Sequence, residues 1–382
     1  MNPMLKLSLL ICLFTVVINA DTDPDEHRTF EEMVIAHEYP LEVHYCLTSD
    51  FYYLKIYRIP GEKGSHPIYP NNKQPVLLGH GLADSSDSWI VNEEHLSPAY
   101  VFANNGFDVW FLNIRGNKHS KVNKQIDPKK KGFWNFSFHE TGLIDVTCAV
   151  DLIKATTGKA KVTYVGHSQG GSQIFALCSL NPNYCKNNLT GILALAPAVF
   201  IHNTRSPFLK ELTFIRLDKI ISLFGIYHLY ESRGSINKFT DVICELFHRM
   251  CDTSTKFISE DDPADNNEKR DQVSYAHYPA GASTRALIHF ATLIRNKNFV
   301  DVGGKAYPLG NINVPVHLFA GEHDKLVTIE DINILKSKLP SGVLTKYVQL
   351  ANHGHLTFLL SKGQSNYIEE LIDSVKKLTG LN

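Results

Sequence analysis

The 382-residue sequence predicts an α/β fold built on a mostly parallel central sheet flanked by helices. From about residue 41, short runs of β-branched and aromatic residues alternate with longer helical stretches, which is the pattern of βα units. Hydrophobic residues make up 43% of the chain, enough for a large buried core. The alternation stops between residues 200 and 310 and then resumes, so we expect one sheet with a long insertion.

The strands follow in a definite order. The runs LEVHYCLTS and FYYLKIYRI are expected to form an antiparallel opening pair. Six central strands are then expected at 75–81, 107–114, 161–166, 189–197, 314–324 and 343–353. Residues 200–310 are expected to be helical, because apolar residues recur at helical spacing in stretches such as 206–230. An insertion placed there lies over the carboxyl edge of the strands or beside the sheet, and it is therefore expected to form a cap.

The first twenty residues are typical of an export signal. Lys6 precedes the apolar run 7–18, which is too short to span a bilayer, and the small residue Ala20 suits the cleavage position. We expect residues 1–20 to be removed and the remainder to be secreted and soluble, without a transmembrane segment. Two acceptor sites for N-glycosylation, Asn135 and Asn188, become usable in that compartment.

Charge and cysteine usage narrow the class of protein. The formal net charge is −1, so no basic field exists to hold nucleic acid. Six cysteines remain after the signal, and disulfides are the expected state in an exported protein. The pairs that lie close in sequence are Cys178 with Cys185 and Cys244 with Cys251. The sequence contains no CxxC pair, so a zinc ribbon is not expected.

The stretch YVGHSQGG, residues 164–171, places Gly166 and Gly170 two positions either side of Ser168. A GxSxG pattern alone is weak evidence, but here a predicted strand precedes it and a predicted helix follows it. In a tight strand-to-helix turn the serine adopts a strained conformation and projects above the sheet, and side chains two positions away would collide with strand and helix. The two glycines therefore indicate an exposed, nucleophilic Ser168.

A serine hydroxyl needs a base, and the base imidazole needs a carboxylate that holds its tautomer and stabilises its charge. The strand-to-helix turn requires the chain order serine, acid, histidine. Asp324 ends one predicted strand and His355 follows another, so both lie at carboxyl ends, where open α/β sheets place their chemistry. We therefore predict a catalytic triad of Ser168 as nucleophile, Asp324 as acid and His355 as base.

Three residues compete with this assignment: His353, Asp301 and Asp331. We favour His355 because Gly354 before it frees the turn. Asp301 lies before its predicted strand and Asp331 lies in the following predicted helix, which places both away from the strand end. His353 and His355 together would suit a metal, but no Asp or Cys completes a ligand set at short spacing, so no metal is expected. No cofactor is expected either.

The oxyanion formed during acyl transfer needs two backbone N–H donors. The first is expected from Gln169, the residue after the nucleophile. The second is expected from Leu82, because the predicted strand 75–81 runs into His80-Gly81 and Gly81 lets the chain turn the Leu82 amide inward.

Nine stretches carry a resemblance to a known family and keep its order along the chain. They are YRIP (57–60), HGLADSSDSW (80–89), DVWFLNIRGN (108–117), FWNFSFHE (133–140), GHSQGG (166–171), LAPA (195–198), HYPAGAS (277–283), FAGEHD (319–324) and HLTF (355–358). With these stretches the chain resembles the acid lipase family of α/β-hydrolases, from about residue 30 to near the C-terminus.

The resemblance implies an α/β-hydrolase core formed by 21–199 and 311–382, and a helical cap with a mobile lid within 200–310. It assigns the triad and oxyanion hole to the residues named above, and it implies a short cap disulfide between Cys244 and Cys251. Family substrates are triacylglycerols and steryl esters. GHSQGG replaces the more usual GHSQGT, and Thr357 replaces an aspartate near the histidine, so the acid pH optimum of several family members is not carried over.

The sequence thus predicts a secreted serine hydrolase that cleaves carboxylic esters of neutral lipids at a lipid–water interface. Its destination would be the extracellular space, a gut lumen or a lysosome. Two alternatives stay open at this point. One is a catalytically silent relative that binds or stores lipid, and the other is an esterase for small soluble esters.

Overall fold

The computed structural model describes residues 23–66, 72–214, 227–231 and 264–381. Its strands, in chain order, are β1 Glu42–Leu47, β2 Tyr52–Ile59, β3 Pro75–Gly79, β4 Asp108–Leu112, β5 Val122–Asn123, β6 Val162–His167, β7 Leu189–Leu195, β8 His228–Glu231, β9 Ala280–Ser283, β10 Val316–Gly321 and β11 Leu344–Leu350. Nine of them form the central sheet, and β8 pairs with β9 separately.

The α-helices, in chain order, are α1 Phe30–Ala36, α2 Pro98–Asn104, α3 Phe138–Glu140, α4 Thr147–Thr157, α5 Gln169–Leu180, α6 Pro182–Asn188, α7 Pro207–Phe214, α8 Asp271–His277, α9 Thr284–Asn296, α10 Ile329–Lys338, α11 Thr357–Leu360 and α12 Tyr367–Thr379. A π-helix, Thr141–Val146, joins α3 to α4. Short 3-10 helices lie at Pro24–Glu26, Ser86–Trp89, Lys131–Trp134, Glu268–Arg270 and Leu309–Asn311.

The strand order in the central sheet is β1-β2-β4-β3-β6-β7-β10-β11, with β5 beside β2. β1 and β2 are antiparallel to each other, and β2 is antiparallel to β4. From β4 to β11 every neighbouring pair is parallel. The predicted α/β fold with a mostly parallel sheet is therefore confirmed, and all six expected central strands form. Their carboxyl ends meet at one edge of the sheet, which is the edge that carries the candidate site.

Both faces of the sheet are buried, so its central strands are apolar along their whole length. Alternate residues of β4 face opposite sides: Trp110 and Leu112 belong to one hydrophobic cluster, and Val109 and Phe111 belong to the other. The first cluster includes α4 and α5, and the second includes α1, α2 and α12. Helices packed on both faces thus hold β6 and α5 in place, and Ser168 lies in the turn between them.

The insertion between β7 and β10 differs in part from its expected helical form. The stretch 206–230 begins as α7 but ends in β8, which pairs antiparallel with β9 some fifty residues later. The helical expectation for the end of this stretch was wrong because the pairing partner is distant in sequence and local periodicity carries no signal of it. Residues 1–22 lie outside the described residues, and so do 215–226 and 232–263, which belong to the range 200–310 where the lid is predicted and which include Cys244 and Cys251.

Two disulfides join elements around the first hydrophobic cluster. Cys46 of β1 is bonded to Cys148 of α4 across 102 residues, and Cys178 of α5 is bonded to Cys185 of α6 across seven. The second is one of the two pairs that lie close in sequence. The Cys46–Cys148 bond could not be predicted from the spacing of the cysteines, because it requires α4 to pack against the edge strand β1.

Replacing both Cys46 and Cys148 by alanine is expected to lower the free energy of unfolding by about 4 kcal/mol, because a crosslink that closes a loop of roughly 100 residues removes much entropy from the unfolded chain. The double replacement of Cys178 and Cys185 is the matched control and should cost about half as much. Urea denaturation of the two variants measures both values. An equal or larger loss in the control pair would contradict the loop-entropy account.

Candidate active site

Ser168 lies in a sharp turn between β6 and α5. Its backbone has φ 53° and ψ −114°, a conformation that is costly for a residue with a side chain. Hydrogen bonds hold it there: the Ser168 amide donates to Leu195 O at 3.0 Å, and the Ser168 carbonyl accepts from the amides of Gly171 and Ala198 at 3.0 and 3.1 Å. The turn places the hydroxyl above the carboxyl edge of the sheet.

The two flanking glycines fill positions where a side chain has no room. A Cβ on Gly170 would lie 2.2 Å from the carbonyl oxygen of Gly79 in β3, and a Cβ on Gly166 would lie 2.7 Å from the carbonyl carbon of Gly170. The obstacles are backbone atoms, which cannot rotate away. The close approach of α5 to β3 and β6 therefore depends on glycine at both positions.

The structure brings together the three side chains predicted as a triad. The Ser168 hydroxyl donates to His355 Nε2 at 2.8 Å, and His355 Nδ1 donates to Asp324 Oδ2 at 2.7 Å, in the tautomer that this chain of bonds requires. Asp324 is 1% exposed and His355 is 3% exposed. A serine, an imidazole and a carboxylate in this arrangement can deprotonate the hydroxyl and stabilise the resulting imidazolium.

Backbone contacts orient the acid and the base. The amides of Leu326 and Val327 both donate to Asp324 Oδ1 at 2.8 Å, which leaves Oδ2 for His355. His167 Nε2 donates to the His355 carbonyl at 2.9 Å, and burial lowers the pKa of His167 to about 3, so this ring stays neutral. The histidine loop is thus held from the side of the serine turn.

The three residues that compete with the triad assignment, His353, Asp301 and Asp331, make other contacts. His353 is buried against the rings of Phe358 and Tyr367, and its Nδ1 lies 3.6 Å from Asp265. Asp331 accepts hydrogen bonds from Asn203, and Asp301 accepts from the amides of its own turn.

The two predicted oxyanion donors flank the serine. Gln169 is the first residue of α5, and Leu82 follows Gly81 in the loop after β3. A Cβ on Gly81 would lie 3.5 Å from Ser168 Cβ, so this loop passes directly beside the nucleophile. In the part of the chain that the structure describes, neither the Leu82 nor the Gln169 amide donates to a backbone carbonyl of the surrounding loops. The position of both residues beside Ser168 is the one that the predicted oxyanion hole requires.

A cavity of about 280 Å³ opens onto Ser168 and His355. Most of its wall is apolar: Leu82, Val91, Ala198, Ile201, Leu209, Phe290, Leu326, Leu356, Leu359 and Leu360. A smaller polar part consists of Asp84, Ser88, Ser274, Tyr275, His277 and Tyr278. Such a cavity suits a ligand that is largely hydrocarbon with a few polar atoms.

The family model described as "alpha/beta hydrolase fold" matches residues 74–362, and the one described as "partial alpha/beta-hydrolase lipase region" matches residues 30–93. The chain belongs to the α/β-hydrolase lipase family. It is 32% identical to gastric triacylglycerol lipase of Mus musculus over 91% of each chain, and 31% identical to mouse lipase member K over 89% of each. The resemblance to acid lipases is therefore confirmed, and the protein is an ester hydrolase.

Solved structures support the fold of this α/β-hydrolase. The structure of lip1 from Acinetobacter baumannii AYE matches with a TM-score of 0.57 at 16% identity, covering 95% of this chain and 99% of that one. A thermophilic esterase from Thermogutta terrifontis matches with a TM-score of 0.50 at 14% identity, covering 88% and 99%. At these identities the likeness shows the fold alone.

The two departures of this lipase-family chain from the usual motifs have local explanations. A Cβ on Gly171 would lie 2.4 Å from Pro197 Cβ, so threonine at this position would need Pro197 to move. Thr357, where the family more often has aspartate, is buried, and its hydroxyl accepts from the Gly354 amide at 3.0 Å. The hydroxyl thus closes the turn that precedes His355.

Asp84 lines the candidate site of this α/β-hydrolase, a position that was not predicted although the residue lies within the HGLADSSDSW stretch. It lines the cavity and is only 7% exposed. Burial raises the pKa of its carboxyl from 3.8 to about 6, although the Ser85 amide donates to Oδ1 at 2.7 Å. The signal available in the sequence was an acidic residue two positions after a predicted oxyanion donor.

The raised pKa of Asp84 predicts a pH-dependent stability difference. Below pH 3.8 the carboxyl is protonated in both states. As the pH rises towards 6, only the unfolded state releases the proton, so the free energy of unfolding falls by about 3 kcal/mol. Asp84→Asn removes this loss and should stabilise the protein at pH 7.5 relative to the wild type by about that much more than at pH 4. Paired thermal melts at both values measure it, and a difference that does not change with pH would contradict it.

Proposed function

We propose that this α/β-hydrolase is a secreted lipase that hydrolyses carboxylic esters of neutral lipids, with Ser168, His355 and Asp324 as its triad. The observation that carries the proposal is the continuous chain of hydrogen bonds from the Ser168 hydroxyl through His355 to buried Asp324, at 2.8 and 2.7 Å. It opens onto a mainly apolar cavity. A hydroxyl activated in this way next to a hydrocarbon pocket suits acyl transfer from a lipid ester.

In the first half-reaction, Ser168 Oγ bonds to the acyl carbonyl carbon as His355 Nε2 takes the hydroxyl proton. The carbonyl oxygen becomes an oxyanion between the amides of Leu82 and Gln169. The bond between the acyl carbon and the alcohol oxygen then breaks, and His355 gives its proton to the leaving alcohol. The acyl group remains on Ser168, and Asp324 stabilises the imidazolium while it exists.

In the second half-reaction, water takes the place of the alcohol. His355 Nε2 accepts a proton from water as its oxygen bonds to the acyl carbon, and a second oxyanion forms between the same amides. Its collapse breaks the bond to Ser168 Oγ, which recovers a proton from His355. The fatty acid leaves and the starting state is restored.

The cap assigned to residues 200–310 would supply much of the lipid contact. Its described parts contribute Ile201, Leu209 and Phe290 to the apolar wall of the cavity. The acyl chain would lie along this wall, while the rest of the predicted cap and its lid would meet the lipid surface. An acylglycerol is the favoured substrate class over a steryl ester, because a relative at 32% identity is named gastric triacylglycerol lipase.

Secretion is supported by the two disulfides, which persist in oxidising compartments. Glycosylation fits Asn135 best, because its side chain is exposed and its oxygen accepts from Arg285. The amide nitrogen of Asn188 already donates to Tyr184 O at 2.8 Å. No helix among the described residues is long and apolar enough to cross a membrane. The proposed destination is the extracellular space, a gut lumen or a lysosome.

Rates on three substrates test the proposal: emulsified triacylglycerol, cholesteryl ester and a short soluble ester, each from pH 4 to 9. A lipase with a lid should show a jump in rate once the substrate exceeds its solubility limit, whereas a soluble-ester esterase should not. A fluorophosphonate probe should label Ser168, because only an activated serine reacts. Absence of both labelling and hydrolysis would instead indicate a silent lipid-binding relative.

A further inference from the structure

The polar part of the cavity wall lies beside the nucleophile. A Cβ on Gly81 would lie 3.5 Å from Ser168 Cβ and 3.8 Å from Asp84 Oδ2. The nucleophile and the Asp84 carboxyl thus border the same small space, which glycine leaves open. Ser168 and Asp84 line the same cavity, so a substrate that is bonded to Ser168 and fills this space can touch Asp84 without any change in the fold.

Asp84 is held firmly in this position. The Ser85 amide donates to its Oδ1 at 2.7 Å, and the Ser88 hydroxyl donates to the Ser85 carbonyl at 3.0 Å, which fixes the turn that carries Asp84. Asn117 Nδ2 reaches the Asp84 backbone carbonyl at 3.5 Å. A carboxyl fixed by its neighbours binds a ligand hydroxyl at low entropic cost.

The nearby cations are engaged by a different carboxylate. Asp87 accepts from Lys118 at 2.6 Å, from His119 at 2.7 Å and from His277 at 2.7 Å. Lys118 acts on Asp84 only as a more distant charge, and the phenol of Tyr278 donates towards Leu82 O at 3.4 Å. Asp84 is therefore left facing the cavity beside uncharged hydroxyl groups, which is a setting for hydrogen bonding rather than for ion pairing.

We infer that Asp84 binds a free hydroxyl of the leaving alcohol, so that the enzyme prefers partial acylglycerols, in which one or more glycerol hydroxyls remain unesterified. This inference rests on the proposed function. A carboxylate accepts a hydrogen bond from a hydroxyl, and a protonated carboxyl both donates and accepts, so the contact forms in either state. An ester whose alcohol lacks a hydroxyl leaves the buried carboxyl with the Ser85 amide but without a partner in the cavity, and a site built in this way discriminates against such a substrate.

The test compares kcat/KM for a monoacylglycerol with kcat/KM for the methyl ester of the same fatty acid, at pH 5 and pH 7.5. Asp84→Ala should lower this ratio about tenfold or more, since one buried hydrogen bond to an ionisable group is lost. Asp84→Asn should retain most of the ratio, because an amide also donates and accepts. Leu360→Ala, on the apolar wall, is the matched control: it should alter the acyl-chain preference and leave the alcohol ratio unchanged.

An equal fall for both esters in Asp84→Ala would overturn the inference, because a purely structural role affects both alike. A second measurement needs no variant: a 1-O-alkylglycerol should inhibit the wild type at least tenfold more tightly than the corresponding alkyl methyl ether, and equal inhibition would also overturn it. A wild type that hydrolyses neither ester and is not labelled by fluorophosphonate would refute the proposed function itself, and the inference with it. Labelling together with hydrolysis of both esters at equal efficiency would refute the hydroxyl contact alone.

Discussion

Replacing Ser168 by alanine is expected to lower kcat for ester hydrolysis by about 10⁴-fold or more and to leave substrate binding little changed. The reason is that, among the described residues, the Ser168 hydroxyl is the one that donates to His355 Nε2. The other ring nitrogen, Nδ1, is bonded to Asp324. Initial rates on an emulsified triacylglycerol and on a soluble ester measure the loss.

Ser172→Ala is the matched control for this replacement. Ser172 lies one turn further along α5, is fully buried and donates to Ala198 O at 2.8 Å. Its loss should cost stability of about 1 kcal/mol and only a few-fold in rate. Near-normal hydrolysis by Ser168→Ala, with Ser172→Ala equally active, would show that the chemistry does not run through Ser168. If the triad acts as a unit, the double variant with His355→Ala should be no slower than Ser168→Ala alone.

The parts of the site that the sequence predicted are those set by local geometry or by chain order. The serine turn has a local signature, because the collisions at Gly166 and Gly170 arise within a few residues of Ser168. Asp324 and His355 were found because each lies at the carboxyl end of a strand, and the parallel strands bring such ends to one edge. The sequence could therefore indicate the triad without knowledge of distances.

Features that depend on contacts between distant segments were not predictable in the same way. Asp84 shares its cavity with Ser274, Tyr275 and His277 of α8, and His277 is hydrogen-bonded to Asp87 in the Ser86–Trp89 turn, about 190 residues away in sequence. The pairing of β8 with β9 and the bond between Cys46 and Cys148 likewise join segments about fifty and one hundred residues apart. In each case the sequence shows which residue is present, but it does not show which distant segment that residue contacts.

Asp324→Asn is expected to lower kcat by about 10⁴-fold while the fold is retained, and the geometry of the acid explains why. The amides of Leu326 and Val327 both donate to Oδ1, so an asparagine must place its carbonyl oxygen there. Its NH₂ group then faces His355 and donates to Nδ1. The imidazole is forced to carry its proton on Nε2, where it can no longer accept the proton of Ser168.

Asp301→Asn provides a closely matched control, because Asp301 Oδ1 also accepts from two backbone amides, those of Gly303 and Lys305, at 2.8 and 2.9 Å. It reports the cost of the same substitution in a similar turn away from the imidazole, and its rate should stay within about threefold of the wild type. Kinetics and thermal melts of both variants separate tautomer loss from unfolding. A fall in the melting temperature of Asp324→Asn large enough to explain its lost rate would contradict the tautomer argument, whereas a folded, fluorophosphonate-inert protein is the expected result.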